Sequence, residues 1–579
     1  MSDRSTADPS ATDPLLTCDV VVVGSGASGL TAALTASSLG LEVVVVEKDA
    51  QFGGTSAWSG GWMWIPRNPL ACEAGINEPL ETPLTYLRHE LGAQFNEPMA
   101  RQFLEQGPAM VRFLRDDVGL KFVDGNRIPD FHDQTPAAGQ GGRSLCAAPF
   151  DGRALGRRLQ DLKEPLEEVS PFGMGIASGL DLKNFLDTFH KPKAFWHVTK
   201  RVLRHWWDVV VHGRGLHLVN GNALVAQLLK ALDERGVHLL ASAKVEALLI
   251  EQGRVCGVRT VRGVIAARRG VILAAGGFPH DQHRKADLFA HDPTGQAHHS
   301  AAPLSNTGDG LRLGEQVGGQ VSRSLAHAGA WAPVSLVPKA DGSTGRFPHL
   351  VERAKPGLIM VLRNGQRFTN EANAYHDVMQ ALFAATPPDT PYEAFMICDH
   401  RFQRRYGLGR ARPRPFPVRP WIRNGYLKRA DTVADLARAC GLDVQGLEHT
   451  LATYNHHAAQ GQDPVFHRGE SAYNRIQGEA DQTPNPCVAP IVEAPFYAIK
   501  IVPGSLGTFA GLQVNPDAQV LTQAGQAIPG LYAVGNDMAS VMGGHYPAGG
   551  ITLGPGMTFA FIAAYHASGV PLSNNRNRA

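Results

Sequence analysis

Residues 19–61, DVVVVGSGASGLTAALTASSLGLEVVVVEKDAQFGGTSAWSGG, constrain the fold more than any other stretch of the chain. The unbroken apolar run Val20 to Val23 has the length of a buried parallel strand and stops at a glycine cluster that opens a helix. Gly24 permits the tight turn. Gly26, with Ala27 and Ser28 beside it, lets backbone N–H groups approach a pyrophosphate, and Gly29 lets the helix lie close against the strand. The anion then rests on the helix N-terminus. A second run, Val43 to Val46, ends in Glu47 and Lys48; the Glu47 carboxylate is placed to accept hydrogen bonds from a ribose and argues against a 2′-phosphate there.

Strand, helix, second strand and terminal acid in register mark a dinucleotide site, and the continuation chooses between NAD and FAD. Gly53, Gly54, Thr55, Ser56, Ser59, Gly60 and Gly61 form a second loop of small residues. Such a loop wraps an extended flavin where a nicotinamide enzyme would continue into another helix, so FAD is expected. Further along, Val245 is a further candidate cofactor contact, and Ala275-Gly276 at the end of a buried strand suits a backbone passing close to the adenosine half. Asp309, opening a helix after Asn306-Thr307-Gly308, has both a capping and a cofactor reading. A last strand ends at Gly535-Asn536, near the ribityl chain, and the glycine-rich run Gly543 to Gly556, with Thr552 and Leu553, opens a final helix whose N–H groups can face a flavin or substrate oxygen.

The fold class that follows is α/β: a Rossmann-like FAD-binding domain with an inserted α+β substrate domain. The expected divisions are a disordered tail at 1–17, the FAD domain at 18–278, the substrate domain at 279–503 and the returning FAD segment at 504–579. The tail is rich in Ser, Thr, Asp and Pro and has no apolar signal core. With 55 basic against 53 acidic residues, the net charge of +2 gives no field that would recruit nucleic acid. Seven scattered cysteines without a CxxC pair suit a reducing cytoplasm and point to no metal site.

Three other stretches carry expectations. Residues 191–212 spell a basic amphipathic helix, with Phe195, Val198, Val202, Trp206 and Val209 at helical spacing; it either packs on the protein or lies on a membrane surface. Asn364-Gly365 predicts a hairpin turn, with a helix beginning near Asn370 that would set Glu371 one turn before Tyr375. The loop Pro129 to Pro136 is polar and proline-bounded, and its His132 is a candidate functional group.

Together these segments resemble the flavoprotein family of fumarate reductases, succinate dehydrogenases and 3-ketosteroid Δ1-dehydrogenases. The likeness covers nearly the whole chain, and Val502 to Thr508, Gly535-Asn536 and Met542 to Pro555 look most like the ketosteroid enzymes. The arginines expected of dicarboxylate members are missing: Tyr375 stands where the catalytic arginine after Gly365-Gln366-Arg367-Phe368-Thr369-Asn370-Glu371 would be, and Tyr546-Pro547-Ala548 lies where a clamp arginine would be. No histidine lies within Gly53 to Gly61, so the resemblance implies FAD held without a covalent link. It further implies α,β-desaturation of a cyclic ketone, a 3-ketosteroid or a smaller alicyclic ketone, with electrons passed to an external acceptor. Tyr546 and the Gly550 N–H would hold the ketone oxygen and Tyr375 would remove the α-proton. The family's third, assisting tyrosine belongs in the loop where this chain has Phe131-His132, which leaves His132 as a candidate relay.

Overall fold

The computed structural model describes residues 14–572, and two sheets organise them. The first is eight-stranded. Its path runs Gln519–Leu521, Ala527–Ala533, Gly263–Leu273, Leu16–Val23, Val43–Val46, His238–Leu240, with Val245–Glu251 and Arg254–Thr260 added as an antiparallel meander on Gly263–Leu273. The central pairings are parallel. Val20, Val21, Val22 and Val45 are fully buried, which is why these strands read as continuous valine rather than alternating. Each such side chain contributes about 1.5–3 kcal/mol of burial. The helix Ala27–Ser38 packs against the helices Asn220–Glu234 and Leu553–Ser568, so the C-terminal segment completes this layer. A Cβ on Gly29 would lie 2.1 Å from the Gly24 carbonyl oxygen; the close approach requires glycine.

The second sheet is antiparallel and six-stranded: Thr344–Pro348, Gly329–Pro338, Phe496–Thr508, Ala394–Cys398 and Leu358–Val361, with Lys428–Ala430 also on Phe496–Thr508. The helix Tyr375–Ala385 lies on strand Gly329–Pro338.

Several boundaries differ from the sequence reading. Leu16 and Thr17 belong to the first strand, paired with Ile265 and Ala266, while residues 1–13 of the expected tail lie outside the described residues. The division at 503/504 falls inside one strand, whose pairing with Gly329–Pro338 continues to Thr508. The helix after the hairpin opens at Tyr375 and not near Asn370. Asn370 instead closes a turn, its side chain accepting from the Ala372 N–H at 2.9 Å, and Glu371 is buried against Arg367 and Arg468 at 2.7 and 3.0 Å. The helix Pro192–His212 exists, but part of its polar side faces inward and part of its apolar side outward. Ala194, His205 and Asp208 are buried, while Trp196, Leu203, Trp207 and Val210 are 63–80% exposed.

Candidate active site

A single cavity of about 1370 Å³ runs from the first glycine turn to the last glycine-rich loop. That exceeds the roughly 300–1,000 Å³ of a site for one ligand. It has room for a dinucleotide and a second molecule.

At one end, Gly24, Gly26, Ala27 and Ser28 line the wall where the helix Ala27–Ser38 begins, and the first-turn N–H groups there have no acceptor within the helix. Gly24 has φ +106, and a Cβ on it would lie 2.2 Å from the Ala274 carbonyl oxygen. Glu47 accepts from the Ser25 N–H at 3.0 Å, the Ser25 hydroxyl at 2.5 Å and the Asp49 N–H at 2.9 Å; burial raises its pKa and these donors oppose the shift. The second loop comes next. Gly54, Thr55, Ser56, Ser59, Gly60 and Gly61 line the cavity, and Ser56 Oγ accepts from the Ala27 N–H at 2.9 Å. Val245, Ala275, Gly276, Gly535, Asn536, Thr552 and Leu553 complete the wall. Of the residues expected to contact cofactor, Gly29 and Gly53 are not in the wall. Gly29 serves the helix packing described above, and Gly53 holds the turn by donating its N–H to Ser25 Oγ at 3.0 Å.

The two readings of Asp309 separate. Its side chain makes no cap bond and pairs instead with Lys48 at 2.7 Å, both groups lining the cavity. Asp537 was not singled out by the sequence. Fully buried, it accepts from the Ala275 and Gly277 N–H groups at 2.6 and 2.9 Å and so ties the last strand's end to that of Gly263–Leu273; burial raises its pKa to about 6. The signal was its place directly after Gly535-Asn536. These residues fit FAD: an open glycine turn, a half-buried acid at the second strand's tip and a second loop of small residues surround one elongated space.

At the other end, Tyr375, Tyr546, Gly550, Phe131 and Tyr473 share the cavity. The Tyr375 and Tyr546 rings stand edge to face at 5.0 Å, and Phe131 lies 5.8 Å from each. Burial raises the pKa of both phenols, to about 12 for Tyr546, where Tyr375 and Thr552 act in the lowering direction. The Phe131 N–H donates to the Pro547 carbonyl at 2.9 Å, while Asp130 is fixed by Trp64 Nε1 at 2.8 Å and Arg143 Nη1 at 2.6 Å. The loop therefore lies over Tyr546 and projects Phe131 inward.

His132 turns the other way and is not in the wall. Its Nδ1 is 2.6 Å from Glu90 and its Nε2 is 2.8 Å from Asp377. Two carboxylates accept only, so both nitrogens carry protons and the ring is an imidazolium. Burial pulls its pKa down, but the two acids outweigh burial and raise it to about 10. A ring already protonated on both nitrogens accepts no proton. The relay role expected of His132 is corrected accordingly.

A nucleotide cradle opening onto paired phenols defines a flavin-dependent oxidoreductase. The chain belongs to the FAD binding domain family, whose pattern matches residues 19–553. It is 37% identical to a 4-oxocyclohex-2-ene-1-carboxylate 5-dehydrogenase of Sinomonas cyclohexanicum over 95% of this chain and 93% of that one. It is 35% identical to a 3-oxosteroid 1-dehydrogenase of Mycolicibacterium smegmatis over 94% and 96%. The crystal structure of a 3-ketosteroid Δ1-dehydrogenase from Sterolibacterium denitrificans, in complex with 1,4-androstadiene-3,17-dione, superposes with a TM-score of 0.87 at 34% identity, covering 96% of this chain and 99% of that one. The chain is an FAD-dependent oxidoreductase acting on CH–CH groups.

Proposed function

We propose that the protein desaturates a cyclic ketone between its α- and β-carbons, with a 3-ketosteroid as substrate. The observation that carries this reading is the convergence of Tyr375, Tyr546 and Gly550 on the cavity that also holds the nucleotide cradle. An α-proton becomes removable only when the developing enolate oxygen is stabilised in a dry site. Tyr546, 4% exposed, and the Gly550 N–H supply the donors, and Tyr375 takes the proton. When bound in the cradle, FAD would supply the acceptor for the β-hydride, and an external acceptor would be needed for turnover. Leu180, Leu182, Leu186 and Val351 line the outer cavity and suit an apolar ring system. Anaerobic mixing with a panel of cyclic ketones tests the assignment: steroid ketones should bleach the flavin fastest. A smaller ring carboxylate is the second reading, favoured by the cyclohexene-carboxylate relative and by Lys355 in the cavity wall. Selective reduction by such an acid would establish it.

FAD is proposed to be held without a covalent bond. Acid precipitation should leave the yellow colour in the supernatant, and colour in the pellet would contradict this.

A peripheral contact with an anionic membrane through the helix Pro192–His212 is also proposed. Among the described residues no helix is long and apolar enough to cross a membrane. The outward face of this helix nevertheless carries Trp196, Leu203, Trp207 and Val210 beside the exposed Lys193 and Lys200. Its inward groups are neutralised locally: His197 and Arg201 meet Asp181 at 2.7 and 2.9 Å, and Asp208 meets Arg153 at 2.6 Å. Interfacial aromatics with basic neighbours fit a lipid surface of negative charge. The adjoining helix Leu180–Leu186 lines the cavity, so a lipophilic ketone would have a short path inward. The free cysteines support a cytoplasmic site for this contact. The protein should co-sediment with vesicles containing phosphatidylglycerol and be released by salt. A Trp196→Ser/Trp207→Ser variant should stay in solution, and failure of the parent to bind such vesicles at low salt would end the proposal.

A further inference from the structure

We infer that Tyr473, backed by the buried guanidinium of Arg353, supplies the phenol that assists Tyr375 in place of the tyrosine that the Asp130–Pro136 loop lacks; this rests on the desaturase reading above. Tyr473 comes from a segment remote in sequence, at the start of the helix Ala472–Gln477. Two hydrogen bonds fix where that helix begins. The Ala472 N–H donates to Asp133 Oδ2 at 2.6 Å, tying it to the loop that carries Phe131. Asn474 Nδ2 donates to Asn373 Oδ1 at 3.1 Å, tying it to the turn that leads into Tyr375. Tyr473 lies between these two anchors. Its ring sits 4.5 Å from Phe131, and it shares the cavity wall with Tyr375 and Tyr546.

Arg353 is 2% exposed, and its hydrogen bonds go to backbone carbonyls: His349 at 2.7 Å, Glu371 at 2.6 Å, Asn373 at 3.1 Å and Leu350 at 3.4 Å. The neighbouring acids are committed elsewhere, Glu352 to His349 and Glu371 to Arg367 and Arg468. A buried cation without a contact anion is costly unless something nearby uses its charge. Two of the carbonyls it holds, those of Glu371 and Asn373, lie in the turn that presents Tyr375. Burial is the largest influence on Tyr375 and Tyr473 and raises both; at Tyr375 the neighbouring Tyr546 and Tyr473 act in the same direction, and the Arg353 charge is what acts on both phenols in the lowering direction.

The step this supports is balanced. The Tyr375 phenolate, its charge favoured by Arg353 and by the hydrogen bond that the Tyr473 hydroxyl would donate across the shared cavity wall, takes the α-proton. The C–H electron pair becomes the enolate held at Tyr546, and as the carbonyl re-forms that pair becomes the new Cα=Cβ bond; the β-hydrogen with its electron pair would go to the flavin that the cradle would hold. Tyr375 then passes its proton through Tyr473 to water at the outer cavity, where Ile476 of the same helix is 44% exposed.

The test is Tyr473→Phe in the FAD-loaded protein, alone and with Phe131→Tyr, followed by anaerobic flavin reduction across pH. Tyr473→Phe should slow reduction by about a hundredfold, the low end of an acid–base contribution, move the acid limb of the rate profile to higher pH and leave ketone affinity within a few-fold. Adding Phe131→Tyr should recover most of the rate and return the limb. A Tyr473→Phe variant with the parent's rate and limb overturns the inference, as does a rate loss with no limb shift and no rescue. Failure of the parent to be reduced by any cyclic ketone would instead overturn the desaturase reading.

Discussion

Tyr375→Phe and Tyr546→Phe are each expected to slow ketone-driven flavin reduction by at least about a hundredfold, the usual scale for losing an acid–base or oxyanion group. FAD content should match the parent's. Each substitution removes one hydroxyl and keeps the ring, so the edge-to-face pair at 5.0 Å and the packing on Phe131 persist. The two phenols act on opposite ends of one event, since the proton leaves the α-carbon only as the ketone oxygen gains charge. The double variant should therefore cost far less than the product of the two single losses. Stopped-flow absorbance with excess ketone measures all three. Rates within a few-fold of the parent would remove these residues from the mechanism.

The cofactor end of this site was legible because its signals are local. Val20 to Val23 stop at Gly24, Val43 to Val46 stop at Glu47, and each feature depends on neighbours a few residues away. Tyr375 and Tyr546 were legible through motifs that flank them. What stayed hidden depends on partners distant in sequence. The direction of His132 is decided by Glu90 and Asp377, on two helices that meet only in the fold. Tyr473 carries no motif, and its place beside Phe131 follows from hydrogen bonds to Asp133 and Asn373. The helix Pro192–His212 showed its amphipathicity in the sequence, but periodicity states that two faces differ and not which one is covered. Asp181, Arg153 and the Phe172 carbonyl cover the polar one. The boundary drawn at 503 falls inside a strand for a related reason: Phe496–Thr508 pairs within the second sheet as far as Thr508, and the chain reaches the cofactor layer only afterwards.

His132 is expected to contribute to stability and not to the proton path. Folding raises its pKa from the ordinary 6.5 to about 10, so the folded state binds a proton that the unfolded state releases over that interval. The contribution is fully present below about pH 6.5 and is lost as pH rises through about 10. The nominal linkage is about 4–5 kcal/mol. With the side chain 34% exposed, solvent screening reduces the expected loss to about 1–2 kcal/mol. Denaturant unfolding of parent and His132→Gln should show a stability gap that is widest below about pH 6.5 and closes toward pH 10, because the variant cannot carry the charge that pairs Glu90 with Asp377. Flavin reduction in the same variant should keep the parent's pH profile. A gap that does not close with pH would refute the clamped imidazolium, and loss of the acid limb in His132→Gln would return this histidine to the proton path.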